Sequence, residues 1–165
     1  MNRPTAAHAP RHATAHISGV AAIPAVLESL GARPAEVFAE GGVDLALFDD
    51  PENLISLAAV GNLVKASVAR TGCEHFGLLV GQRGGLQSLG LVGLVLRFSP
   101  DVATALRRLS QYMHLYHGGQ ITALVEDEGA AMLSYDLYVP GIEAVEQIGD
   151  GAMAILFNIM RTLCG

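Results

Sequence analysis

The side chains of this 165-residue chain best placed to do chemistry are histidines and tyrosines at helical spacing. His114 and His117 stand three apart inside "QYMHLYHGG", which on a helix would set two imidazoles on neighbouring rows, the start of a zinc site. A metal needs a third Cys, His or carboxylate at ligand spacing, and none follows. Projected at about 100° per residue, Val102, Ala105, Leu106, Leu109, Tyr112, Met113 and Tyr116 gather into one apolar stripe. His114 then falls on the far side with Arg107 and Gln111, and His117 sits at the border beside Gly118-Gly119, where a helix dipole favours a cation. The expectation is a solvent-facing His114 and a helix-terminal His117, with no metal. His8, His12 and His16 are four apart and would also line one helix face, but nothing around them anchors a helix, so a frayed tail is expected.

Two other features fit ligand binding better than catalysis. Tyr112 and Tyr116, at i and i+4, offer apolar bodies with hydroxyl handles. Arg97 stands alone inside "LVLRFSP", where it either binds a carboxylate or snorkels to solvent. Arg97, Tyr112 and Tyr116 are therefore the candidate ligand-contacting residues. No G-x-S-x-G, H-E-x-x-H or Cys-His motif is present, and the acidic residues cluster at helix starts and in a turn, so no enzyme and no cofactor are expected. "GQRGGLQSLG" matches neither G-x-G-x-x-G nor a P-loop, and its glycines fit turns or close packing. Cys73 and Cys164 are read as reduced thiols.

Composition narrows the partners. Charged residues are 16% of the chain, against roughly 25% in an average globular protein. Hydrophobic residues reach 51%, so apolar surface must be buried in a core, a ligand site or a subunit contact. Formal net charge is −6, and only Lys65 among the ten basic residues is lysine, which leaves no basic stripe for nucleic-acid phosphates. "GGLQSLGLVGLVL" falls short of the roughly 20 apolar residues of a membrane span. The N-terminus has histidines, proline and an early Glu28 in place of a secretory signal, so a cytoplasmic location is expected.

Stepping through the elements that would position these residues, 1–16 lacks periodicity and is expected to be a disordered tail, with one domain over 17–165. "IPAVLESLG" and "RPAEVFAEGG" are short helices with an early proline and a terminal glycine. "DDPENLISLAAVGNLVKASVARTG" predicts a long helix capped by Asp50 and ended by Gly72, with Gly61 marking a close contact. A short helix from Glu74 to about Val80 follows. "LVGLVLRF" fits a buried strand or a short helix equally. Ser99-Pro100-Asp101 opens a second long helix as cap, N1 proline and early acid, and the helix ends near His117. "QITALVED" and "AAMLSYDLY" predict a hairpin turning at Glu128-Gly129, with Ile121, Ala123 and Val125 alternating and Leu124 breaking the pattern. A closing helix, with a candidate interruption at Gly149 to Gly151, carries Ile148, Ala152, Ile155, Leu156, Ile159 and Leu163 on its apolar side. The sum is an α+β, helix-rich single domain with a small antiparallel hairpin packed against helices.

"LGLVGLVLRFSPDVATALRRLSQYMHLYHGG" resembles the central segment of the N-terminal effector-binding domain in one branch of AraC/XylS-type transcription regulators, the branch that includes ornithine-responsive activators. The resemblance rests on Phe76-Gly77-Leu78, Gly81, Leu89-Gly90, Gly93, Ser99-Pro100, Ala105-Leu106, Leu109 and Tyr112, and "LESLGARPAEVFAEGGVD" is similar to the family's opening helices. It covers about 18–163 and consists of packing residues, so it transfers no ligand contact. It implies a small-molecule effector, a homodimer, and DNA contacts only through a C-terminal helix-turn-helix domain outside this segment. The label "arabinose-binding" that such domains carry does not imply a sugar. The competing expectation is a structural oligomerisation module with no effector. A haem- or metal-binding domain on His75, His114 or His117 is the third.

Overall fold

A computed structural model describes residues 13–116, 118–127 and 129–165, and the side chains of all of these except 115 and 116. The described chain begins with a strand, β1 (Thr14–His16), where a tail had been expected. Helices α1 (Ile23–Ser29) and α2 (Pro34–Gly41) follow, each entered through a proline, and α2 ends at Gly42 in the left-handed conformation. The expected 50–72 helix divides. Asp50 and Pro51 make a turn in which the Glu52 amide donates to the Asp50 carboxylate at 2.9 Å, and Leu54–Ser56 is a strand, β2, antiparallel to β1. Helix α3 (Leu57–Thr71) starts after it, capped by the Ser56 hydroxyl, which accepts from the Ala59 amide. A short acceptor followed by proline serves a turn as well as a cap, because both use the same bond from a side-chain oxygen to an amide just ahead.

Helix α4 (Phe76–Gln82) and α5 (Gly90–Arg97) come next, so "LVGLVLRF" is helical. Helix α6 (Val102–Tyr116) is capped by Asp101 in place of Ser99: the Thr104 amide and hydroxyl donate to the Asp101 carboxylate at 2.7 and 3.0 Å. Those bonds, the amide's first, hold the Asp101 carboxyl below its ordinary range. Ser99 is used elsewhere, donating to the Val95 carbonyl and accepting from Arg108. Strands β3 (Gln120–Asp127) and β4 (Ala130–Leu137) form the expected hairpin, and α7 (Val145–Cys164) runs unbroken through Gly149 and Gly151. Among the described residues this makes seven α-helices and two two-stranded antiparallel sheets, an α+β domain.

Two cores organise these elements. Ile17, Ile23, Leu27, Phe38, Leu63 and Phe76 bury the N-terminal helices against one another. Leu96, Leu109, Leu156 and Ile159 join α5, α6 and α7, with the hairpin's Leu124, Leu133 and Tyr135 packed on top. The α6 stripe lies as its periodicity predicts, with Ala105, Leu106, Leu109 and Met113 buried and Arg107, Gln111 and His114 exposed. The hairpin reverses the simplest expectation from its pattern. Thr122 and Leu124 face the helices, while Ile121 and Val125 are about half exposed at 49% and 51%. The apolar alternation marks the outer face.

Glycines decide how close the helices come. A Cβ on Gly77 would overlap the Gln147 carbonyl, and one on Gly81 would overlap that of Gly151, so α4 and α7 touch backbone to backbone. Gly61 has the predicted close contact, against Glu143. Two more glycines of "GQRGGLQSLGLVG" serve packing too, Gly84 against Ile155 and Gly93 against the Leu86 carbonyl.

Candidate functional site

A cavity of about 110 Å³ lies where the two cores and the hairpin meet. Val20 and Ile23 wall it on the N-terminal side, Val60 and Val64 come from α3, Val80 from α4, Met113 from α6, and Ile155 and Leu156 from α7. One water needs only about 10–15 Å³ on this measure, so the space holds a molecule rather than a single solvent. Its walls are mainly apolar side chains, which favours an organic occupant over a water cluster.

The cavity persists because its neighbours cannot slide into it. Helix α4 is tied to α7 at both ends. At its start the Gly77 amide donates to the Gln147 side chain at 2.8 Å, and the Gln147 amide group donates back to the Glu74 carbonyl. At its finish the Asn158 amide group donates to the Gln82 and Gly84 carbonyls at 3.0 and 2.9 Å. Between those ties the backbones are already in contact, so no further approach remains.

The polar end of the cavity belongs to the hairpin. Thr122 and Tyr135 are directly opposed in the β3–β4 register, and Gln120 is two residues along the same face. The Tyr135 hydroxyl donates to the Gln120 side-chain oxygen at 2.6 Å. Burial pushes the Tyr135 phenol up to about 12, so it stays protonated across the physiological range. Thr122 is only 4% exposed, and its hydroxyl, with no hydrogen-bond partner among the described residues, opens on the cavity and is not a sealed, unsatisfied group. Its backbone is pinned, since the Ser110 hydroxyl on α6 donates to the Thr122 carbonyl at 3.0 Å. Of the other polar groups in the wall, Ser88 accepts from the Gly85 amide, Gln147 holds α4, and His16 lies with Nδ1 3.2 Å from the Glu52 carbonyl oxygen.

The residues singled out in the sequence lie elsewhere. Arg97 is exposed at the last position of α5. Tyr112 is half-buried and borders a separate, open groove with Leu94, Val95, Phe98 and Arg108. Tyr116 ends α6, and its side chain lies outside the described residues, as do His8, His12 and His117. Gln120, Thr122 and Tyr135 were missed. The one available signal was Gln and Thr at i and i+2 in a strand, and alternation alone does not tell which face turns inward. His75 and His114 are exposed, and among the described residues no three His, Cys, Asp or Glu side chains are grouped to hold a metal. Cys73 and Cys164 are free thiols, the first buried and the second exposed. Among the described residues no helix is long and apolar enough to cross a membrane.

Comparison with known proteins gives the family. The family model described as the arabinose-binding domain of AraC transcription regulators, N-terminal, matches residues 31–165. The HTH-type transcriptional regulator VirS of Mycobacterium tuberculosis is similar, 25% identical over 143 residues, in strain CDC 1551 / Oshkosh. The same protein of strain ATCC 25618 / H37Rv matches to the same degree. That stretch is 85% of this chain and 42% of VirS, so the chain spans less than half the length of the curated relatives it matches.

Proposed function

The chain belongs to the arabinose-binding N-terminal domains of AraC transcription regulators, and on that premise we propose that it is the effector-sensing and dimerisation part of a bacterial regulator. It would work in the cytoplasm, in a regulatory rather than a catalytic role. The cavity between the two cores carries this proposal. An effector seated there touches α3, α4, α6, α7 and the hairpin together, so it favours whichever arrangement of those elements fits around it. A ligand shifts such an equilibrium only by its differential affinity for the two arrangements. DNA contacts then belong to a separate basic domain, since this chain has a net charge of −6 and Arg107-Arg108 as its one adjacent basic pair.

A small effector at one hundred times its dissociation constant adds about 2.7 kcal/mol to stability. Thermal-shift screening of metabolites should therefore find a compound that raises the melting temperature of the wild-type chain and not of Ala152→Leu, which fills the cavity. A screen in which hits shift both proteins equally would place the site elsewhere. In a gel-shift assay at near-physiological salt, residues 1–165 alone should not retain a promoter fragment, and a specific, salt-sensitive complex would contradict the division of labour.

A purely structural oligomerisation module has less support, because such a module has no use for a cavity held open by locked helices. Dimerisation itself is supported by α5, where Leu91 and Phe98 stand 73% and 78% exposed beside Leu94. Sedimentation analysis should give a dimer for the wild type and a monomer for the Leu91→Asp/Phe98→Asp double variant.

A further inference from the structure

We propose that the cavity takes an uncharged, largely apolar ligand of about one ring in size, whose single hydroxyl or carbonyl group seats between Thr122 and the Tyr135–Gln120 pair. The proposal rests on the cavity being the effector site and adds the chemical class of the effector.

Charge is the first constraint. The walls contain no Arg, Lys, Asp or Glu among the described residues, and Arg97, the one cation singled out from sequence, is at the surface. His16 and Tyr135 are the titratable groups of the wall. His16 faces Glu52, whose carbonyl oxygen lies 3.2 Å and carboxylate 3.9 Å from its Nδ1, so that side of the imidazole is already engaged. Tyr135 stays a neutral phenol. A carboxylate or phosphate entering here would shed its water and meet no partner of opposite charge, a cost that contact with apolar walls does not offset. An ammonium group meets the same difficulty with the sign reversed.

Hydrogen-bonding capacity is the second. A pentose carries a ring oxygen and several hydroxyls, each needing a partner once buried. The wall has the Thr122 hydroxyl, the acceptor lone pairs of the Tyr135 oxygen, whose proton already goes to Gln120, the Gln120 amide group and the Ser88 hydroxyl proton. Gln147 is engaged at both ends of its amide in holding backbone. Most of these groups sit together on the hairpin, so they suit a polar group at one end of a ligand, and hydroxyls spread around a pentose ring would mostly face apolar wall.

Size is the third. At about 110 Å³ the cavity is in the class of the roughly 150 Å³ apolar void that accepts benzene. Being the smaller of the two, it sets a single ring with one short polar arm as the upper bound on an occupant, seated with slight adjustment of the wall side chains. Thr122 supplies the reason such a ligand would be oriented. A hydroxyl that opens on the cavity, with no protein partner among the described residues, gains a bond when a ligand oxygen arrives beside it.

The test uses matched probes on the 165-residue chain at neutral pH: benzyl alcohol and cyclohexylmethanol, their carboxylate counterparts benzoate and cyclohexanecarboxylate, toluene, and arabinose. Methionine-methyl NMR reads occupancy, because Met113 lines the cavity and Met153 is exposed on α7. The alcohols should shift the Met113 signal saturably and leave Met153 in place, with benzoate and arabinose binding at least about ten-fold more weakly. Thr122→Val should weaken benzyl alcohol by about five- to ten-fold and leave toluene unchanged, a contrast that general misfolding does not produce. Tyr135→Phe should also weaken the alcohol selectively, and it stands in should Thr122→Val fail to fold. Benzoate or arabinose binding as tightly as the alcohols would overturn the inference while leaving the cavity as the effector site. A Met113 signal that ignores every probe would remove both.

Discussion

The α4–α7 crossing and the cavity beside it share residues and differ in every other respect. Gly77 and Gly151 belong to both. At the crossing two backbones meet with no room for a methyl group, and Gln147 and Asn158 tie the ends of α4. A few ångströms away, space for a small molecule is left open between apolar side chains that would gain by closing on it. The difference shows that the void is not loose packing. Helices already in backbone contact have no closer approach available, so the rigidity of the crossing is what keeps the cavity from collapsing.

The largest effect should come from adding one methyl to the tight region. Gly77→Ala forces a Cβ into the Gln147 carbonyl and should cost about 3 kcal/mol in urea unfolding, near the top of the usual range for overpacking. A variant as stable as wild type would mean that the helices can part, and the contrast with the cavity would lose its basis.

Next in size is an alkaline effect at the polar end of the cavity. Unfolded Tyr135 ionises near 10.0, whereas the folded group holds its proton to about 12. Its contribution to stability is complete below pH 10 and is lost as pH rises towards 12, where only the unfolded state readily gives up the proton. Wild type should lose about 2 kcal/mol more than Tyr135→Phe across that window. Parallel denaturation profiles for the two proteins would show that the phenol is wetted, and with it the cavity.

Additions to the open region should be gentler. Ala152→Leu puts three extra carbons where the cavity has room and should change stability by no more than about 1 kcal/mol, while abolishing the Met113 response to benzyl alcohol. A loss as great as that of Gly77→Ala would mean that the cavity is tighter than its volume implies.

The smallest change should reverse sign. Gly149 lies in α7 one turn from the crossing, and a Cβ there meets nothing within 4 Å. Gly149→Ala should raise stability by roughly 0.5–1 kcal/mol, because only the conformational cost of glycine in a helix is removed. Thermal unfolding of Gly77→Ala and Gly149→Ala side by side would then separate a glycine needed for contact from one that is not.

Local signals in the sequence determined much of the frame. Early prolines and terminal glycines bounded α1 and α2, the 3.6-residue stripe oriented α6, and two β-prone runs made the hairpin. Those features depend on near neighbours and on which side chains avoid water, and both can be read along the chain. Gly61 even showed that something presses against α3, though not that it is the segment at Glu143. The tertiary structure decided whatever needed a distant partner. Leu54–Ser56 is a strand because Thr14–His16, some forty residues earlier, pairs with it. Thr122 rather than Ile121 turns inward because Leu124, Leu133 and Tyr135 on its face pack against α6 and α7. The cavity was legible nowhere in the sequence. A void is defined by what fails to fill it, and that depends on how closely glycine backbones from α4 and α7 meet, a distance no single segment encodes.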